Sequence, residues 1–267
     1  MFARFKLNLH DWEITTSSLY EIEYETFSND YETKISRALY DYLSPNGKLD
    51  ASKIENDWFP KINANVFLSH SHKDEDKVKA LAGMLYKKYG IKSFIDSTVW
   101  GYADNLLGEI DEEYCEPTKN NHGGNSYSYK KRNQSTAHVH LLLQGALAKM
   151  INDCECIIFV NTPNSLNVSD ISNENLTSSP WIYSELLMAN IFPPRKPEEY
   201  GITVAHRIDE YVEHGGIDID YKVDLEGFKE INLNDFQKAF DAHGIKSARS
   251  VLNQLYLNKG LIERPSI

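Results

Sequence analysis

From Asn65 onward, apolar and polar positions fall into blocks that predict strands and helices in turn. Val66, Phe67 and Leu68 form a short continuous apolar run closed by Ser69, which reads as a buried strand. Val78, Leu81, Ala82, Leu85, Tyr86 and Tyr89 then recur at helical spacing and mark one buried face. Gly90 stands where a left-handed residue closes such a helix. "IKSFID" (91–96) predicts a second strand, and "STVWGYADNLLGEIDEEYC" (97–115) a loop running into a short helix. Residues 116–134 are polar and irregular and read as a loop. Val139, Leu142, Leu143, Ala146, Leu147 and Met150 repeat the helical offsets, and "CECIIFVN" (154–161) predicts a third buried strand. Ser179 as N-cap, with Pro180 at the first helical position, starts a further helix.

The flanks carry weaker patterns. Residues 1–60 read as a packing extension, with a short helix over 31–43 ended by the turn residues of "SPNGKLD". "GIDIDYKVDL" (216–225) alternates and predicts a further strand at a sheet edge, and residues 233–267 a helical extension broken at Gly244. The α/β domain is thus expected over 61–232. Strands alternating with helices predict a parallel sheet with helices on both faces. Ligands of such sheets lie at the carboxyl ends of the strands, here after Leu68, Ile95 and Val160.

Charge and cysteines narrow the setting. The 267 residues carry a formal net charge of -11 with no long basic cluster, which argues against a nucleic-acid partner. Cys115, Cys154 and Cys156 are odd in number and lack CxxC spacing, as suits a reducing compartment. The N-terminal residues lack the apolar core of a signal peptide, and no apolar run is long enough to span a membrane. A cytoplasmic location is expected.

"VFLSHSHKDED" (66–76) admits two chemistries. His70, His72, Asp74 and Glu75 approach the His-x-His-x-Asp-His zinc pattern of the metallo-β-lactamases, but Glu75 replaces the last histidine and several upstream strands are missing. His138 and His140 open a helix, where residues two apart face differently. Without a metal, Ser71 is the expected N-cap and Asp74 an acid of the first turn, both favourable at a helix start. No metal site is expected, and His70 is left at a strand's carboxyl end.

The order of these stretches resembles a TIR (Toll/interleukin-1 receptor) domain. "VFLSHSHKDED" matches its first strand and loop, "FIDSTVWG" its second, "CIIFVNTPNSL" a late strand and "SSPWIYSEL" the helix after it. The resemblance implies a flavodoxin-like sheet. Bacterial and plant TIR enzymes place a tryptophan four residues before a catalytic glutamate in this helix, here Trp181 and Glu185. That implies an enzyme cleaving the nicotinamide–ribose bond of NAD, with NAD as substrate and no separate cofactor. The product would be ADP-ribose, or a cyclic or conjugated form acting as an antiphage-defence signal on an effector protein. Self-association is implied as well.

The residues themselves allow such chemistry. Bond cleavage builds oxocarbenium character on the ribose, which a fixed carboxylate stabilises, and an indole stacks on a flat ring. Further candidate substrate contacts are Ser69 and His70, Asp96 at the end of the second strand, and Trp100 in a loop that gates the pocket. Lys130, Lys131 and Arg132, preceding a helix start at Ser135 and Thr136, would suit a pyrophosphate, and Thr136 and His138 join the contacts. Two other functions remain open: a TIR module that only assembles, and a nucleoside deoxyribosyltransferase-like enzyme with a nucleophilic carboxylate.

Overall fold

In "ARFKLN", Ala3, Phe5 and Leu7 are buried while Arg4, Lys6 and Asn8 are half-buried, the period-two pattern of a strand. The computed structural model describes residues 1–9, 18–28, 39–119, 125–168, 175–193, 221–242 and 247–263. Its strands are β1 (Ala3–Asn8), β2 (Val66–Ser69), β3 (Ser93–Ile95), β4 (Thr118–Lys119), β5 (Asn125–Ser126), β6 (Cys156–Asn161), β7 (Asn167–Val168), β8 (Asn175–Thr177), β9 (Tyr221–Lys222) and β10 (Lys229–Ile231). Its α-helices are α1 (Ser18–Ser28), α2 (Ala51–Trp58), α3 (Glu75–Tyr89), α4 (Ser97–Tyr114), α5 (Tyr129–Asp153), α6 (Pro180–Ile191), α7 (Leu233–Asp241) and α8 (Ala248–Asn258).

Five strands form one sheet in the order β10-β1-β6-β2-β3, and every pair in it is parallel. Short antiparallel sheets, β4-β5 and β7-β8-β9, lie outside it. This α/β architecture is consistent with a flavodoxin-like fold. The amino-terminal segment differs from the sequence expectation. The segment 1–60 is more than a packing extension, because β1 runs between β6 and β10 inside the sheet. A six-residue strand with charged alternate positions gives a weak signal beside the all-apolar runs of β2 and β6.

The ends differ too. Of the predicted strand at 216–225, residues 216–220 lie outside the described residues, and Tyr221–Lys222 pairs with β8. The edge of the parallel sheet is instead β10. Of the helix expected over 31–43, residues 31–38 lie outside the described residues, and Leu39–Tyr42 forms a single 3-10 turn. Both C-terminal helices form, each opened by a capping box at Asn232 and Ser247.

The chain divides into two units. The first (Met1–Asn29, Asn63–Ile95 and Met150–Ile267) contains the five-stranded sheet; the second comprises Asp30–Ile62 and Asp96–Lys149. In the first unit, adjacent residues of β1 meet helices on opposite faces of the sheet. Phe5 stacks on Tyr256 of α8 at 6.0 Å between ring centroids, while Arg4 donates to Asn190 of α6 at 2.6 Å. Helix α3 packs closely on α1 at Gly83, where an added Cβ would fall 1.8 Å from the Tyr20 carbonyl oxygen. Gly90 closes α3 at φ +69°, as its place in the sequence predicts. In the second unit, buried Asp111 of α4 accepts from Arg132 at 2.9 Å, from the Cys115 thiol at 3.3 Å and from the Ser135 hydroxyl.

Candidate functional site

The parallel sheet has one point where its connections part. From β2 the chain passes to β3 on one side, while from β6 it passes to β10 on the other. In open α/β sheets the crevice at the carboxyl ends of two such strands is where ligands bind. Ser69 ends β2 there and His70 follows it, and Thr162 to Ser165 follow β6. Helix α6 packs against β2. Its last turn meets the sheet at Arg4, near the amino end of β1, so α6 runs antiparallel to the strands. Glu185 lies about 7.5 Å up the helix axis from Asn190, toward the carboxyl edge.

The start of α6 is as predicted. The Ser179 hydroxyl accepts from the Ile182 backbone N–H at 3.3 Å, and Pro180 occupies the first turn. The buried residues of α6 are Ile182, Glu185, Leu186 and Ala189, an i, i+3, i+4, i+7 stripe. Glu185 thus takes a core position and is 0% exposed. An aliphatic side chain would satisfy that position at lower desolvation cost. Trp181, one turn earlier, is half-buried.

Ser71 and Asp74 stand at a helix start as the sequence predicts, but Asp74 has a second engagement that the sequence does not show. Helix α3 starts at Glu75, after a 3-10 turn over His72–Asp74, and neither Ser71 nor Asp74 makes a side-chain cap. Instead Asp74, 1% exposed, accepts from the Thr162 hydroxyl at 2.5 Å and the Asn164 side-chain amide at 2.9 Å. Lys77 lies at 3.5 Å. The carboxylate clasps the loop after β2 to the loop after β6. Ser165 tightens the second loop by donating to the Thr162 carbonyl and accepting from the Thr162 N–H. An acid near a helix start looks the same in sequence whether it caps or clasps.

Ser69 is fully buried and its hydroxyl has no hydrogen-bond partner among the described residues, while His70 is 4% exposed. Buried hydroxyls are nearly always bonded, so an orphan at a ligand crevice is notable. Register places Ser69 on the α6 face of the sheet, because Ser69 pairs with Phe159, Phe159 with Lys6, and Lys6 shares a face with Arg4. Asn8 and Asn161 end their strands on that same face, and the Asn161 amide donates to Asn8 Oδ1 at 2.8 Å.

Ser69, His70, Trp181 and Glu185 all belong to the sheet unit; Asp96, Trp100, Thr136 and His138 belong to the second unit. Asp96 is buried at the N-cap position of α4 without a side-chain cap. Trp100 is not on a loop, because α4 runs unbroken from Ser97; its side chain lies outside the described residues. Ala103, Leu106 and Ile110, all buried, supply the apolar spacing that carries this helix past Gly101. Nor do Ser135 and Thr136 start a helix. α5 begins at Tyr129 and leaves Thr136 half-buried and His138 exposed within its length. Lys131 pairs with Glu116 at 2.6 Å and Arg132 with Asp111, so two of the three basic residues are engaged within their own unit.

His72 is exposed and its Nδ1 lies 3.4 Å from Glu75, whereas His70 is buried. Burial alone would raise the Glu75 pKa, but Lys79, His72 and His70 together hold it below the usual carboxylate value. Among the described residues no three His, Cys, Asp or Glu side chains converge as metal ligands. No described helix is long and apolar enough to cross a membrane. No family model, curated protein or solved structure matches this chain.

Proposed function

We propose that this chain is a TIR-type enzyme that cleaves the nicotinamide–ribose bond of NAD. The observation carrying the reading is Glu185, a fully buried carboxylate in the apolar stripe of α6, on a helix packed against β2 at the parting of the sheet. The C1′–N bond breaks and its electron pair leaves with neutral nicotinamide, so no strong general acid is needed. Glu185 stabilises the resulting oxocarbenium ion or holds the ribose hydroxyls. Water attacks C1′ and releases a proton, giving ADP-ribose; an internal nucleophile in place of water gives a cyclic product. Half-buried Trp181, one turn away, offers an indole face to a flat ring. The wider reading is a soluble defence enzyme, with a product that acts on an effector protein and activity that rises on self-association.

Purified protein incubated with NAD, over a range of protein concentrations, should release nicotinamide, with the ribosyl product identified by mass spectrometry. Release of free base from 2′-deoxynucleosides but not from NAD would reassign the chain to the deoxyribosyltransferase type. No turnover of either, at any concentration or with infected-cell extract, would leave an assembly module.

A further inference from the structure

Strand positions favour β-branched and aromatic side chains and disfavour asparagine. Yet β1 and β6, both interior strands, end in Asn8 and Asn161 directly opposite each other. Each is half-buried, and the 2.8 Å bond from Asn161 Nδ2 to Asn8 Oδ1 is their mutual side-chain contact. The backbone of the same place is fixed by Leu9 donating to the Asn161 carbonyl at 3.1 Å. The bond orients both amides and leaves Asn161 Oδ1 as an acceptor and Asn8 Nδ2 as a donor. Ser69 lies on the same sheet face one strand over, about 8 Å away by strand spacing and rise. Its buried hydroxyl has no partner among the described residues. The sheet itself requires none of these three polar groups.

We propose that Asn8 and Asn161 form a recognition subsite for a planar edge that carries a donor beside an acceptor. Resting on the NAD reading, the subsite has two possible sources of that edge in the substrate: the nicotinamide carboxamide, or adenine N6 and N1. Both present an N–H2 group to Asn161 Oδ1 and an acceptor to Asn8 Nδ2. Because each amide is held by the other, little rotamer freedom is lost on binding. Ser69 lies beside the bound group as a further donor. The N-terminal strand is then part of the site and not only of the sheet.

The test measures binding of unreactive fragments to the full chain by NMR titration. Nicotinamide is compared with 3-acetylpyridine, which keeps the carbonyl and lacks the N–H2. AMP is compared with IMP, which carries a carbonyl in place of the adenine amine. Wild type should prefer the amine-bearing member of one pair by about 5- to 100-fold, as good bidentate pairs do. Preference within the first pair assigns the carboxamide, and within the second the adenine. Asn8→Thr and Asn161→Thr, which suit a strand and remove the amides, should bring the preference to about one while the fold is retained; Asn8→Ala and Asn161→Ala repeat the test should either threonine variant fail to fold. Absence of preference in wild type, or preference unchanged in both folded variants, overturns the subsite. Nicotinamide release is scored separately. Release with unchanged preference overturns the subsite alone, and preference that needs Asn161 but comes without any release overturns the NAD reading alone.

Discussion

Thr162 donates its hydroxyl to the buried Asp74 carboxylate at 2.5 Å, across the carboxyl ends of two strands whose connections run to opposite sides of the sheet. The two loops that frame the crevice are held together by one acid. Asp74→Ala and Thr162→Val should each lower the unfolding free energy by about 1–3 kcal/mol. The double variant should cost less than the sum, with a coupling of about 0.5–3 kcal/mol by urea denaturation. Additive effects would show that the bond does not tie the loops energetically.

Glu185 is where stability and activity should separate. Glu185→Gln should reduce nicotinamide release about 100- to 1,000-fold, the usual loss for a group that stabilises transition-state charge. Glu185→Leu completes the apolar stripe of Ile182, Leu186 and Ala189 and should raise Tm while abolishing release. A folded Glu185→Gln protein with near wild-type turnover would remove Glu185 from the mechanism. A lower Tm in Glu185→Leu would mean that the carboxylate holds the fold.

Gly83→Ala should destabilise although alanine is the better helix former by about 1 kcal/mol. The new methyl would meet the Tyr20 carbonyl oxygen at 1.8 Å, so α1 and α3 must move apart. Overpacking of this kind typically costs about 1–3 kcal/mol. The contacts that would loosen are the Phe27–Tyr86 ring pair at 4.7 Å and the Lys87–Glu23 ion pair at 2.7 Å. Thermal unfolding checks the sign.

Burial pushes the Cys156 thiol far above its ordinary value of 9.0, a shift that the hydrogen bond with Tyr256 only partly offsets. Its folded pKa is raised, so its contribution is full below pH 9 and is lost as pH rises above it, where only the unfolded chain ionises. Unfolding free energy should therefore fall above pH 9, this thiol adding about 1.4 kcal/mol per pH unit to the slope. Cys156→Ala should flatten that limb when stability is measured from pH 8 to 10.5. An unchanged slope would assign the alkaline loss to other groups.

The sheet's centre was legible where burial makes a strand apolar throughout or a helix periodic. β2, β6 and α6 stand within a residue or two of their sequence signals, α3 ends at Gly90 as its signal has it, and the α6 start follows from Ser179 and Pro180. β1 was not legible, because Arg4 and Lys6 interrupt the apolar run and the pairing partners lie far along the chain. The start of α4 was misread because Gly101 and Ser97 look like loop chemistry, while Ala103, Leu106 and Ile110 decide for helix. Trp100 therefore offers no loop to swing over a pocket. Of the candidate site, Glu185 was singled out through the TIR resemblance, and its burial in the apolar stripe of α6 is what the structure adds. The contacts of Asp74, Asn8 and Asn161 were not legible, since they depend on strand register and on loops about 90 residues apart, which no local pattern encodes.

The place of β1 also governs how the molecule can be assembled. The strand bonds to residues 153 positions later in β6, and to still later ones in β10. Until both partners have been synthesised, a strand of the sheet's interior has no native neighbour. Closing so long a loop slows folding, and an unpaired strand is open to other chains meanwhile. Refolding from denaturant should accordingly be slow, with losses to aggregation that grow with protein concentration.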